Sequence, residues 1–91
     1  MLSRLEREIE LTARHIAILR LVVREGPIGI IKLSELSGCP QHKVRYSLRV
    51  LEQKNLIKPS SQGAVATPKA KRFVKMLPRK IKELSEKLES L

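Results

Sequence analysis

The chain has 91 residues, with 19 lysines and arginines against 9 acids, all glutamate, and a net charge of +10. That length builds one domain with one modest core, and with Tyr46 and Phe73 as the only aromatic residues the core has to be Leu, Ile and Val. A single cysteine, Cys39, excludes an intrachain disulfide and fits a reducing compartment.

In chain order, the first segment, LSRLEREIELTARHIAILRLVVREG, reads as one long helix. Leu2, Leu5, Ile9, Thr12, Ile16, Leu19 and Val23 alternate at three and four residues, Ser3 is a candidate cap, and Gly26-Pro27 ends it. Up to Thr12 the apolar seam is narrow and flanked by charge, as in helix pairing. After it, Ile16 to Val23 form the broad apolar face of a globular core. Ile28 is a candidate short extended piece. Ile30 or Ile31 to Ser37 predicts a short helix, stopped by Gly38, and Pro40–Lys54 predicts the next, so the two flank a tight turn.

Asn55 sits where the second of these helices ends and suits a left-handed cap. LIKP, SSQG and AVAT then read as strand, turn and returning strand. Thr67-Pro68 is a helix start, with Thr as N-cap and Pro in the first turn. Val74, Leu77, Ile81, Leu84, Leu88 and Leu91 carry a seam along the last helix, through Pro78, where a kink or a fresh start is expected.

The charge is concentrated in the second half of the chain. Residues 40–82 hold twelve bases and one acid, Glu52; residues 1–39 are nearly balanced and 83–91 are net acidic. Such a field attracts a polyanion, although a general solubilising surface is the plainer reading of the same count.

The stretch LSELSGCPQHKVRYSLRVLEQKNLI resembles the winged helix-turn-helix DNA-binding domains of bacterial and archaeal regulators. The resemblance rests on Leu33, Leu36, Val44, Leu48, Leu51, Glu52 and the Asn55-Leu56-Ile57 step, and covers roughly residues 15–75. The whole chain is similar to small single-domain predicted regulators of archaea. Two features depart from the pattern: Asn55 stands where Gly is usual, and the wing is short. The implied fold is mainly α with a small β-hairpin, a single winged helix-turn-helix domain over 1–91, with extended N- and C-terminal helices (1–14 and 78–91).

With Val44 at zero on a helical wheel, Leu48 and Leu51 fall within about 40° of it, and His42, Arg45, Tyr46, Arg49 and Gln53 take the opposite arc. The resemblance implies that this arc faces the major groove, with Pro40–Lys54 as recognition helix. Arg pairs bidentately with guanine, and Gln41 or Gln53 with adenine, at roughly 1–3 kcal/mol of discrimination per good pair. Gln41, His42 and Lys43 stand in the first turn, where N–H groups favour phosphate. Lys58, Ser60, Ser61 and Gln62 are the wing's candidates, over Leu56–Thr67, for backbone contact. Lys69, Lys71, Arg72 and Lys75 extend the field. The alternatives are a solvated face, with Arg49 paired to Glu52 or Gln53, and Tyr46 packed on the wing or a partner subunit.

The implied partner is double-stranded DNA, bound sequence-specifically by a dimeric transcription regulator. A sequence-neutral architectural DNA binder and a winged-helix module for protein or RNA stay open beside it. No enzyme is expected: there is no paired-carboxylate, nucleophile or phosphate-loop constellation. No metal, cofactor or small-molecule ligand is expected either, because Cys39 and His42 are two ligands short of a zinc site. IAILRLVV, broken by Arg20, is too short to span a bilayer, and the charged start shows no signal peptide. The expected location is cytoplasmic, at the nucleoid.

The seams at both ends exceed what one small domain needs. Leu2, Leu5, Ile9, Ile81, Leu84, Leu88 and Leu91 form the expected homodimer interface, although pairing within one chain would use the same residues. Glu6, Glu8, Glu10, Glu83, Glu86 and Glu89 suit helix pairing and place these segments away from DNA.

Overall fold

The computed structural model describes all residues from Met1 to Leu91. The order is α1 (Leu2–Glu25), α2 (Ile30–Ser37), α3 (Gln41–Gln53), β1 (Ile57–Ser60), β2 (Gly63–Ala66) and α4 (Pro68–Glu89). The molecule is therefore mainly helical with one antiparallel hairpin, and measures 47 × 26 × 21 Å. The expected elements are all present, and their limits differ from the sequence reading by one to a few residues. No helix is long and apolar enough to cross a membrane.

α1 starts earlier than a Ser3 cap would allow. Met1 is at the cap position and offers no side-chain acceptor, so the first amides are left to solvent. Only the second half of α1 reaches the core, through Ile18, Leu19, Leu21 and Val22. The helix ends where the Gly26 amide donates to the Val22 carbonyl at 2.9 Å.

The short α2 contributes the fully buried Leu33 and ends at Gly38, which adopts φ 73°. Left-handed backbone is cheap only for Gly and tolerable for Asn. The turn to α3 is tied by the Ser34 hydroxyl, which donates to the Cys39 carbonyl at 2.6 Å. Pro40 occupies the N-cap position of α3, and Lys54 the C-cap, so the helix is one residue shorter at each end than expected.

α3 closes on a Schellman motif. Asn55 takes φ 60°, its amide donates to the Glu52 carbonyl, and the Leu56 amide donates to Leu51. This turn returns the buried Leu56 and Ile57 to the core beside Leu51. Residues 57–60 pair with 66–63 around a two-residue turn, Ser61-Gln62. Ile28 is the extended piece anticipated ahead of α2, and it adds a third line of pairing. Its amide and carbonyl exchange hydrogen bonds with Ala64 at 3.1 and 2.8 Å.

The core is an aliphatic cluster drawn from every element except β2: Ile18, Leu19 and Val22 from α1, Leu33 from α2, Val44 and Leu51 from α3, Ile57 from β1 and Ala70 from α4, with Ile28 and Leu56 between elements, while Ala64 and Ala66 of β2 pack against it partly buried. Each fully buried large side chain stabilises the fold by roughly 1.5–3 kcal/mol. The salt bridges contribute little by comparison. All five join residues four or fewer positions apart on exposed surface.

Thr67 caps α4, its hydroxyl oxygen accepting from the Ala70 amide at 3.3 Å while donating to the Asn55 carbonyl at 2.8 Å. α4 continues through Pro78 without interruption, so no fresh helix starts there. Pro78 has no amide for the Val74 carbonyl, and its own position on the helix is exposed. α4 stops at Glu89, which leaves Leu91 beyond the helical seam it was expected to extend.

Candidate nucleic-acid interface

The site is built on α3. Val44 and Leu51 are buried, Leu48 is partly buried, and Ser47 between them is completely enclosed. This stripe fixes the roll of the helix, and the opposite arc follows. Gln41, His42, Lys43, Arg45, Tyr46, Arg49 and Gln53 are all exposed. None of their charges is in a salt bridge, so the Arg49–Glu52 pairing considered from the sequence does not form. Two guanidinium groups, Arg45 and Arg49, therefore stand one turn apart with their donors free.

Tyr46 sits at the edge of this arc. Its ring packs at 43° against the His15 imidazole of α1, with centroids 5.8 Å apart. It leans on its own first helix and remains 46% exposed.

Ser47 connects the same two helices. Its Oγ accepts from Arg14 Nε at 3.2 Å and lies 2.8 Å from His15 Nδ1. Burial lowers the proton affinity of His15 below its ordinary value, and the charges of Arg14 and Lys54 push the same way. The Ser47 hydroxyl has one proton and two lone pairs, so it accepts from Arg14 and shares its second bond with the neutral His15 ring in the direction that the imidazole tautomer sets. α3 is thus locked to α1 by a polar clamp as well as by its apolar stripe.

The N-terminal half of α3 forms a ridge between two shallow depressions. One, about 540 Å³, has Arg7, Arg14 and Lys43 on its walls, with Glu10. The other, about 580 Å³, has Lys32, Gln41 and Arg45, with Glu35. A helix standing between basic-walled hollows has the relief of a probe for a groove bounded by phosphates. Arg7 and Arg14 were missed in the sequence. They share a face of α1 with Leu11 and Ile18, but Arg7 is exposed and only Arg14 is half-buried; what joins them to this hollow is the approach of the α2–α3 turn. Arg14 is held by Ser47 through Nε, which leaves its terminal nitrogens available to the hollow.

The hairpin residues divide. Lys58, Ser61 and Gln62 are exposed without a side-chain partner, whereas the Ser60 hydroxyl donates to the Gly63 carbonyl at 2.7 Å and accepts from the Gln62 amide at 3.2 Å. Ser60 shapes the turn. At the start of α4, Lys69 Nζ donates to the Lys54 carbonyl at 2.9 Å, so it seals the end of α3, while Lys71, Arg72 and Lys75 are exposed.

The sequence matches no family model and no curated protein.

Proposed function

We propose that the protein is a winged helix-turn-helix DNA-binding regulator that reads duplex DNA with α3 in the major groove. The observation that carries this reading is the outward arc of α3. Arg45 and Arg49 are exposed and unpaired, with His42 and Gln53 beside them, on a helix whose roll is set by Val44, Ser47 and Leu51. Those side-chain types match the donors that base edges accept. Lys43, Arg14 and Arg7 on one side of the ridge and Lys32 on the other supply phosphate contacts, and Lys58 with Gln62 adds one from the wing. The molecule works as a two-fold dimer, which presents two copies of α3 to half-sites one or more helical turns apart.

A second reading is favoured by the exposed bases at the start of α4, which lie outside α3. In it the protein coats duplex without regard to sequence. Its signature is a specificity ratio near one together with a steep fall of affinity with salt.

Selection of duplexes from a random pool, followed by competition against scrambled sequence, separates the two. A palindromic consensus is expected. Arg45→Ala and Arg49→Ala each reduce affinity for it by about fivefold to 150-fold, corresponding to roughly 1–3 kcal/mol, and relax preference at particular bases. Wild-type affinity and preference in both variants would overturn the assignment.

A further inference from the structure

The two ends of the chain carry apolar seams that nothing in the chain covers. Before Leu11 every residue of α1 is exposed, and beyond Leu77 every residue of α4 is exposed. Leu2, Leu5 and Ile9 retain 64, 42 and 51% of their accessible surface; Ile81, Leu84 and Leu88 retain 46, 48 and 48%. The alternative in which the two arms close on each other within one chain is therefore not the arrangement adopted. The arms are also matched in length. Residues 2–12 and 78–89 each span roughly 16–18 Å of helix at 1.5 Å per residue.

The charges beside the seams differ in sign. In a heptad with Leu2 and Ile9 at position a and Leu5 at d, the flanking e and g positions are Glu6 and Glu8. In the heptad with Ile81 and Leu88 at a and Leu84 at d, the flanking positions are Lys80, Ser85 and Lys87, with Pro78 at the e position before them. An α1 arm paired with another α1 arm sets glutamates against glutamates, and two paired α4 arms set lysines against lysines when antiparallel and against Ser85 when parallel. Only the mixed pair places acid beside base. Glu8 and Lys80 have partners in their own helices, Arg4 at 3.5 Å and Glu83 at 3.5 Å, but these are exposed pairs of marginal strength that leave both groups open to a second contact. The other arm charges, Arg7, Glu10, Arg79, Lys82, Glu86 and Glu89, lie at b and f, away from the seam.

We propose that two copies of this chain join heterotypically, the α1 arm of each packing along the α4 arm of the other. A two-fold operator makes this contact twice, so both seams of both chains are covered with none left over. The interface consists of Leu2, Leu5 and Ile9 against Ile81, Leu84 and Leu88, and the e and g charges select the partner. This deepens the dimeric reading above and rests on it for the two-fold assembly, but not on DNA recognition.

The test is sedimentation equilibrium of the full chain without DNA, with circular dichroism to verify helix content. Wild type is expected to be a dimer at micromolar concentration. Glu6→Lys/Glu8→Lys and Lys80→Glu/Lys87→Glu are each expected to raise the dimer dissociation constant by about tenfold or more, and the four changes together to restore it to within about threefold of wild type. Should a reversal melt an arm, neutralisation gives the decisive sign. Glu6→Gln/Glu8→Gln weakens a mixed dimer and tightens one built from like arms. A monomeric wild type, a dimer indifferent to these changes, or one tightened by neutralisation would overturn the proposal. A monomer that still discriminates between duplexes overturns this inference and leaves the DNA reading standing. A swap-sensitive dimer that ignores DNA does the reverse.

Discussion

The middle of α1 and its first turns have the same repeat and opposite fates. Leu19 lies on the same three–four seam as Leu5, yet it is fully buried whereas Leu5 is 42% exposed. α4 repeats the contrast: Leu77 is 5% exposed and Leu84, one heptad on, 48%. Seam periodicity is a property of one helix, and burial requires a second surface at the right place. Around Leu19 and Leu77 that surface is the rest of the chain. Around Leu5 and Leu84 the chain supplies none, and the apolar stripe is left for the second copy proposed above.

Truncations on the two sides of this boundary test it most strongly. Leu33→Ala in the core is expected to cost about 2–5 kcal/mol of unfolding free energy, read by urea denaturation. Leu84→Ala in dilute, monomeric protein should cost a few tenths of a kcal/mol by the same measurement, as for a surface substitution. Comparable losses at the two positions would show that the arm is covered within the chain.

Gly63 gives the next largest effect. It adopts φ 123°, and a Cβ there would lie 2.5 Å from the Ile28 carbonyl carbon and 2.6 Å from its oxygen. Gly63→Ala is therefore expected to cost about 2–3 kcal/mol and to weaken hydrogen-exchange protection of the Ile28 and Ala64 amides together. Full protection of both would break the link between the hairpin and the strand-like piece before α2.

The polar clamp between α1 and α3 predicts a smaller change. Ser47→Ala removes the common partner of Arg14 and His15 and should cost about 1 kcal/mol. It also bears on pH. His15 takes up its proton less readily when folded than its ordinary value of 6.5 implies, so the unfolded chain binds that proton first as pH falls. Stability from the neutral ring is complete above that value and is lost as pH drops through it towards the folded value. Denaturation midpoints of wild type should fall across that window, and His15→Gln should flatten the slope. A wild-type midpoint that rises on acidification would mean that the imidazole is favoured in its charged form.

Much of the fold was legible in the chain itself. The position of Asn55 announced a left-handed cap because few other residues tolerate that backbone, and Thr67-Pro68 announced α4 because a hydroxyl acceptor followed by proline has one natural place. The Ser3 cap failed because α1 begins a residue before it, at an exposed end where water satisfies the first amides. Of the two outcomes open at Pro78, a kink or a fresh start, the in-phase seam favoured the kink, and no fresh start occurs because an exposed helix tolerates a missing amide. In the site, the outward arc of α3 was readable from Val44, Leu48 and Leu51. Arg7, Arg14 and the Ser47 clamp were not, because they come together from helices more than thirty residues apart.

The sequence by itself determined which residues of each helix share a face, where the turns fall and in which half the positive charge collects. These follow from local backbone sterics and the 3.6-residue repeat, which act within a few positions of one another. Tertiary structure decided which stretch of each seam is covered, that Tyr46 leans on His15, and that Ser60 holds its own turn while Lys58 stays free. Those outcomes depend on which surfaces the chain brings within contact distance, and no repeat along a single helix encodes that distance.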